Sequence, residues 1–372
     1  MKVGENMLRY TLIRIIWIFV ILVTILSVNF VILQSAPKYP PTEVDERDMW
    51  YARQVSDGYF STRVERDPEV VRQLDEGEYE RRTNGLYLRE EFTDSETGET
   101  AIQYRIWEPV PIPTQYFRWV RNIVTEWNWG VSTTVSANRP VFDILAERIP
   151  VTVRLNIVAL IFYIPVGFGL GIWAALKKNS LADNIISVTV MVFISIPSFV
   201  IMLLLVLTFG YQLDWLPRRF PPANATGAIR YTSMVLPVLG LSFGSIAGLT
   251  RLTRAELTEV LTSEFLLLAR TKGLTRPQSV VRHAMRNSMV PLVPSVIASF
   301  VGLLSGSVII EQIYSIPGTG RIFIQALEHN NYDFNLILGI TAFYTIIGLF
   351  AVLLVDLSYG IVDPRIRMGA RK

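Results

Sequence analysis

Six long apolar runs constrain this chain more than any other feature of its sequence. A helix needs roughly 20 apolar residues to cross the hydrocarbon core of a bilayer, and each run approaches or exceeds that length with few charges or none. The predicted spans lie at about 12–33, 151–176, 184–210, 235–250, 289–311 and 335–357. The sequence therefore predicts an all-α, polytopic membrane protein with six transmembrane helices.

The composition agrees with this fold class and excludes several kinds of chemistry. The 372 residues are 51% hydrophobic and 18% charged, and the mean hydropathy is +0.36. There is no cysteine, which excludes disulfides and thiolate ligands, and the two histidines are far apart in sequence, which argues against a His-rich metal site. The net charge of +3 does not indicate nucleic-acid binding, because in such a protein the placement of Lys and Arg reports topology.

The distribution of charge between the runs predicts the orientation. If the N-terminus is cytoplasmic, the inner segments with Arg14 hold sixteen Lys/Arg and six Asp/Glu, whereas residues 34–150 outside hold fourteen and twenty-one. Cytoplasmic loops carry the excess of Lys and Arg in membrane proteins. We therefore expect a multi-pass protein of the cell membrane with both termini in the cytoplasm. The first run is interpreted as an uncleaved span, with a signal peptide as the minor alternative.

The chain divides at the runs. Residues 1–33 form the first span, and 34–112 are mostly polar and acidic. Within the latter, alternating apolar residues in LYLREEF and TAIQYRIW flank a Gly-containing turn, which predicts a β-hairpin in a small extracytoplasmic insertion; a partly disordered spacer is the alternative. Trp and Tyr at amphipathic spacing in 113–150 predict a helix on the outer membrane surface. A five-helix core, 151–358, and a cytoplasmic tail, 359–372, follow.

The cytoplasmic loop 251–288 carries several helix signals. Apolar residues at helical spacing continue the fourth span into the loop as one helix, and basic residues followed by Gly273 are typical of a helix end. Pro277 suits the first turn of a second helix. We expect that helix to end before Pro291, because proline removes a backbone donor.

The second helix of this loop has one apolar stripe. Val280, Val281, Ala284 and Met285 share a face at helical spacing. From the residues alone two interpretations remain open. In the first, the stripe packs back on the spans or its cations bind anionic lipid headgroups; in the second, the stripe contacts a partner protein.

The loop sequence SEFLLLARTKGLTRPQSVVRHAMRNSMVPLV resembles the coupling loop of ABC importer permeases, in the form found in B-type subunits of oligopeptide and dipeptide importers. The matching residues are Ala269, Arg270, Lys272, Gly273, Leu274, Arg282, His283, Ala284, Arg286 and Asn287. The motifs SIPSF, LDWLP, IIEQIYSIPGTGR and LLVDLSYGIVDPRIR agree with the same family in the same order. Residues 42–108 depart from the family pattern and look like an insertion, and of the family's Glu-Ala-Ala triplet only Ala269 is present.

This resemblance implies the type I importer fold and its assembly. It implies pairing with a second, C-type permease, two cytoplasmic ATPase subunits that use ATP, and an extracytoplasmic binding protein that delivers peptide. The chain itself then needs no cofactor. The residues that the resemblance assigns to ATPase coupling are Glu264, Ala269, Arg270, Lys272, Gly273, Leu274, Pro277, Val280, Val281, His283, Ala284 and Met285. No residue is assigned to the substrate pathway, and nickel or another small solute is the alternative substrate within the family.

Other functions have weaker motifs. No phosphate-binding P-loop occurs, because GTGR at Gly318 lacks the spacing and the lysine. GLSFG around Ser242 fits the Gly-x-Ser-x-Gly pattern of a serine nucleophile, but the strand–turn–helix context is absent and no predicted span holds a histidine base. A serine protease therefore stays a distant alternative, and we expect no catalytic or metal-binding residues. Glu311 and Asp356 lie near span ends: Asp356 is interpreted as structural, and the role of Glu311 is left open.

Overall fold

The computed structural model describes residues 2–36, 44–75, 87–93, 100–222, 227–328 and 332–362, most of which are helical. The helices are α1 Lys2–Ser35, α2 Val44–Ser56, α3 Pro68–Asp75, α4 Ile112–Glu126, α5 Val141–Leu176, α6 Leu181–Ser195, α7 Ser198–Leu205, α8 Ala228–Thr232, α9 Val235–Leu261, α10 Glu264–Thr271, α11 Arg276–Ser279, α12 Met285–Ile313, α13 Thr319–Glu328 and α14 Phe334–Val362. π-Helical segments, Val206–Gln212 and Val280–Ala284, follow α7 and α11, and the strands are β1 Phe60–Glu65, β2 Tyr87–Thr93 and β3 Thr100–Pro109.

The chain forms two compact units. The sheet unit is Ser27–Trp129, and the membrane unit comprises Met1–Leu26 and Gly130–Lys372. Within the described residues, five helical segments are long and apolar enough to cross a membrane: Thr11–Ser35, Val141–Leu176, Val235–Leu261, Arg276–Val301 and Phe334–Tyr359. The pair Leu181–Ser195 and Ser198–Gln212 completes a sixth span only if the two are counted together, because they are bent by 100°.

The bend in this sixth span has a local cause at Pro197. A residue before proline is driven out of the α region by contact with the proline ring, and Ile196 is accordingly extended, with φ −93° and ψ 123°. Pro197 also lacks the amide that would continue the hydrogen-bond ladder. The apolar run therefore encodes two helices joined at an angle rather than one straight span.

The predicted helix stop before Pro291 is wrong. Pro291 and Pro294 both lie inside α12, and helical structure runs from Arg276 through the second π-helical segment to Ile313. Proline is tolerated within membrane helices because neighbouring helices and local adjustment of the backbone satisfy the groups that it frees. The second loop helix and the fifth span are therefore one nearly continuous rod.

The core of the membrane unit is built around α5 and α9. Buried side chains from α5, α7, α9 and α12, among them Leu155, Tyr163, Met202, Leu236 and Ile310, form its main apolar cluster. α5 and α9 can approach closely because glycines of α5 lie where the two helices touch.

Gly171 shows how close this approach is. A Cβ added at Gly171 would lie 2.6 Å from Thr253 Cβ and 2.8 Å from the carbonyl oxygen of Thr250. Small residues that allow backbones to approach are typical of helix pairs in membranes. The α5–α9 contact therefore has no room for even one methyl group at this position.

The sheet unit holds a three-stranded antiparallel sheet in the order β1-β3-β2. β2 and β3 form the predicted hairpin, with Tyr87 opposite Ile106 and Thr93 opposite Thr100. The third strand, β1, was not predicted. α3 covers one face of the sheet, where Leu74 and Ile106 belong to one buried cluster. The described part of the insertion therefore has its own apolar core.

The amphipathic helix predicted within 113–150 corresponds to α4. On one side of α4, Tyr116 and Trp119 pack against Phe30 of α1, with ring centroids 5.5 and 5.1 Å apart. Phe117, elsewhere on α4, and Trp127, the residue that caps its C-terminus, are exposed. The location of α4 at the outer membrane surface stays a prediction.

Replacing Gly171 by alanine tests the close helix contact. We expect Gly171→Ala to destabilise the membrane unit by about 1–3 kcal/mol, because the added methyl overpacks the contact with Thr253 and Thr250. Gly169→Ala is the matched control on the same helix, since nothing lies within 4 Å of a Cβ there, and alanine favours helix by roughly 0.5–1 kcal/mol. Thermal unfolding of both variants in detergent measures the difference; equal melting temperatures would contradict the assignment.

Candidate coupling loop

The candidate coupling loop, residues 262–287, begins with a break that the sequence pattern did not predict. α9 ends at Leu261 and α10 begins at Glu264, so the expected single helix is divided. The hydroxyl of Thr262 donates to the Glu259 carbonyl at 2.9 Å, and that of Ser263 to the Val260 carbonyl at 2.6 Å. Such side-chain bonds to nearby carbonyls satisfy the end of a helix and compete with its continuation.

Gly273 makes the turn after α10. Its φ is +94°, the left-handed region that L side chains rarely adopt. The amide of Gly273 donates to the Arg270 carbonyl at 3.0 Å, and the amide of Leu274 to the Ala269 carbonyl at 3.4 Å. A Cβ at Gly273 would meet nothing within 4 Å. The glycine is therefore required for its backbone conformation and not for space.

The next helix starts at a capping box. The amide of Thr275 donates to Gln278 Oε1 at 3.1 Å, and the Thr275 side chain caps the amide three residues on. Pro277 lies in the first turn, as predicted. The turn at Gly273 and the cap at Thr275 define a sharp corner between α10 and the rod that continues into α12.

The predicted apolar stripe is divided by the fold. Val280 is 7% exposed and Ala284 is fully buried, whereas Val281 is 64% exposed. Ala284 belongs to a buried cluster with Ala175, Leu257 and Leu266. We call these four residues the hinge cluster; they come from α5, α9, α10 and the second π-helical segment. The stripe therefore does not face one partner, because its buried half packs on the spans.

The outer surface of the loop is apolar and basic. Leu267 and Leu268, which the sequence interpretation did not select, are 63% and 55% exposed, and Phe265 is 43% exposed. Of the residues assigned to coupling, Glu264, Arg270, Lys272, Gly273, Pro277 and Val281 are exposed, Ala269, Leu274, His283 and Met285 are partly buried, and Val280 and Ala284 are buried. The unbroken apolar run FLLLA next to a basic segment is the sequence feature from which this surface could have been predicted.

A bidentate ion pair ties the spans together just before the loop. Arg254 of α9 donates from Nε to Asp183 Oδ1 at 2.5 Å and from Nη2 to Oδ2 at 2.8 Å. The Asn179 amide also donates to Asp183, at 2.8 Å, and the carboxylate is almost fully buried. Paired hydrogen bonds between guanidinium and carboxylate fix both distance and orientation. The start of α6 is thereby held to α9 two turns before the loop.

Glu311 has a structural place in the fold. Its fully buried carboxylate accepts from the Thr152 hydroxyl at 2.7 Å and from the amides of Gly320 and Arg321 at 2.8 and 3.2 Å. These amides open α13, and a carboxylate at a helix N-terminus satisfies unpaired donors there. A Cβ at Gly318 would lie 2.4 Å from the same carboxylate. The SIPGTGR motif thus wraps around Glu311 and joins α5, α12 and α13.

Comparison with known proteins identifies the family. Residues 167–368 match the family described as binding-protein-dependent transport system inner membrane component. The chain is 37% identical over 258 residues to a dipeptide transport system permease protein of Lactococcus lactis subsp. cremoris, covering 69% of this chain and 82% of that protein. It is 34% identical over 257 residues to an oligopeptide transport system permease protein of Salmonella typhimurium, covering 69% and 81%. The chain belongs to this permease family.

Solved structures of ABC transporters are also similar. An inward-facing methionine ABC transporter chain matches 60% of this permease and 97% of its own length, with 16% identity and a TM-score of 0.49.

Family membership leaves no support for the protease alternative, and the surroundings of Ser242 agree. Its hydroxyl is fully buried and donates to the Val238 carbonyl, one turn earlier, at 2.6 Å. His283 lies in the candidate coupling loop, and His329 lies outside the described residues.

Asp356, the other charge near a span end, forms an ion pair with Arg14 at 3.2 Å.

Removing the charge of Asp183 tests the anchor of the loop. We expect Asp183→Asn to lower the stability of this permease by about 1–3 kcal/mol, because Arg254 loses its counter-ion at a buried site. The loss is limited because one third of the Arg254 side chain is exposed to solvent. Asp214→Asn is the matched control: its pair with Arg218 lies at 2.9 Å but is 74% and 47% exposed, so we expect little change. Thermal unfolding at low and high salt distinguishes the two; similar losses for both variants would refute the anchoring role.

Proposed function

We propose that this chain is a transmembrane permease subunit of an ATP-driven peptide importer. Membership of the binding-protein-dependent permease family carries the proposal, and the relatives described as dipeptide and oligopeptide transport permeases support peptide as the substrate class. In this proposal the chain forms half of the translocation pathway with a second, C-type permease. An extracytoplasmic binding protein delivers the peptide, and two ATPase subunits supply the energy, so the permease binds no nucleotide and is not itself an enzyme.

The proposed ATPase-docking surface is the exposed part of the candidate coupling loop. Leu267, Leu268 and Val281 supply exposed apolar area, and Arg270 and Lys272 lie beside them. An apolar centre with a charged rim is the usual anatomy of a specific protein interface. The complementary partner surface is an apolar groove with acidic residues at its edge. This placement requires the loop and both termini to be cytoplasmic, as the charge distribution predicts.

The contacts under the loop support a role in transmission. The hinge cluster joins the loop to α5 and α9, and the pair of Asp183 with Arg254 joins α9 to α6. α11 continues through the second π-helical segment into the span α12 without a loop. A push on the loop by ATPase closure therefore moves packed helices as rigid bodies, which is how small displacements become domain motions. In this proposal the exposed part of the loop receives the displacement, and its buried residues transmit it to α5 and α9.

A charge placed on the exposed surface tests the docking. We expect Val281→Asp to weaken association with the ATPase subunits by about tenfold or more, since a buried interface cannot hydrate the new carboxylate. Peptide uptake into proteoliposomes is expected to fall in parallel, while the melting temperature stays unchanged because Val281 is 64% exposed. Val64→Asp, at a 48% exposed position of the sheet unit, is the control and should leave association intact. If Val281→Asp associates normally with the ATPase subunits, the proposed docking surface is wrong.

A further inference from the structure

A cleft with a volume of about 520 Å³ opens between α6 and α9 inside the membrane unit. Its α6 side is apolar, and Phe193 and Ile194 belong to it. Its α9 side includes Gly244, Gly248, Arg251 and Ala255. A Cβ added at Gly244 or Gly248 would meet nothing within 4 Å, so these glycines hold the cleft open and do not serve a helix contact within the described chain.

Apart from Leu252, which also packs against the main apolar cluster, the α9 wall lies away from the helix contacts that build the core. Gly244, Gly248, Arg251 and Ala255 follow one another at intervals of four, three and four residues, which places them on one face of the helix. Leu249 and Thr253, on another face of α9, lie against the glycines of α5. A surface that faces lipid tails needs large apolar side chains and no charge, whereas the α9 side of the cleft has three small residues and a cation beside Leu252. Its composition favours a water-filled space.

Among the residues that the structure describes, Arg251 is the only charged one that lines the cleft. One helical turn further along α9, Arg254 is neutralised by Asp183. Arg251 forms no ion pair or side-chain hydrogen bond within the described ranges, so its guanidinium is available to a ligand. Arg251 lies directly after the predicted fourth span, 235–250, on the helix that continues to Leu261, and its side chain is exposed. A cation that lines a cleft raises the local concentration of anionic ligands there.

We propose that this cleft is part of the peptide path and that Arg251 binds the terminal carboxylate of the peptide in transit. The inference rests on the proposed function and adds a residue and a recognised group to it. A planar guanidinium pairs with a carboxylate through two parallel hydrogen bonds. The cleft volume lies within the range of roughly 300–1,000 Å³ that is common for sites of small ligands.

The chemistry of the cleft suits a substrate of variable sequence. Every unmodified peptide ends in one carboxylate whatever its side chains, so a single cation can recognise all of them. The apolar wall at Phe193 and Ile194 makes no hydrogen-bond demand on the side chains that pass it. A single charge-assisted contact beside an apolar wall recognises the peptide but binds it weakly. Weak binding suits a transport pathway, because the substrate has to dissociate.

Comparing trialanine with its C-terminal amide tests the carboxylate contact. The complete importer is reconstituted in proteoliposomes, and uptake is measured with the binding protein saturated by each peptide. The wild-type complex is expected to import the free acid about tenfold faster than the amide, the ratio of one charge-assisted hydrogen-bonded contact. Arg251→Gln is expected to remove this ratio by slowing only the free acid, and Arg251→Lys to keep part of it. Arg254→Gln, the matched control, should slow both peptides equally.

The outcomes separate the two proposals. If the wild-type complex imports neither peptide, the proposed function is wrong and the inference falls with it. If both are imported and Arg251→Gln keeps the wild-type ratio, peptide import stands and the role of Arg251 is wrong.

Single cysteines test the path itself, since the chain has none of its own. Cysteine in place of Gly248 or Ala255 is expected to react with a water-soluble thiol reagent, and trialanine-loaded binding protein with ATP is expected to slow that reaction. Val188→Cys, at a 60% exposed position of α6 outside the cleft, should react only with a membrane-permeant reagent. If the cleft cysteines behave like that control, lipid covers the cleft. If they react with neither reagent, a partner helix covers it. Either result overturns the inference.

Discussion

The close contact between α5 and α9 is the interaction on which the rest of the membrane unit depends. Gly171 lets the backbone of α5 lie directly against Thr250 and Thr253 of α9. Toward the loop, the same two helices supply Ala175 and Leu257 to the hinge cluster. The pair that builds the core therefore also supports the loop. The contact at Gly171 and the contact between Ala175 and Leu257 lie on the same two continuous helices. Separation of α5 from α9 at Gly171 would therefore also disrupt the hinge cluster that holds the loop.

The charges of the membrane unit follow a consistent physical rule. A buried charge is tolerated in an apolar environment only when it is paired or hydrogen-bonded. Asp183 is paired with Arg254, and Glu311 receives donors from Thr152 and the start of α13. Each pairing joins elements that are distant in sequence, so the polar groups fix the arrangement of helices that apolar packing alone leaves adjustable. Arg251 is a different case, because its side chain is exposed in the cleft and solvent or a ligand can neutralise its charge.

The sequence determined some of these features locally and left others to tertiary contacts. Apolar run length predicted five of the six spans, whereas the run around Pro197 holds two helices bent by 100°. Gly273 and Pro277 predicted the corner of the loop, because each depends on backbone rules that act over a few residues. Pro291 misled the prediction, since a proline is tolerated once a membrane helix is packed. The stripe on the loop was divided because burial of Ala284 depends on α5, whose contacts do not appear in helical spacing. Glu311 was left open for the same reason: its donors lie 159 residues earlier at Thr152 and on the following helix.

In the proposed importer, α9 connects the surface where the ATPase subunits dock to the cleft where the peptide binds. One face of α9 packs on α5, another lines the cleft at Arg251, and its end carries the ion pair of Arg254 and then the candidate coupling loop. An α-helix rises about 1.5 Å per residue, so Arg251 and Leu261 lie roughly 15 Å apart on a single rigid element. A displacement that enters at the loop therefore reaches the cleft without passing through a flexible segment. In the proposed importer, a push on the loop therefore displaces the guanidinium of Arg251 together with the rest of α9, and the pair of Asp183 with Arg254 carries the start of α6 with it.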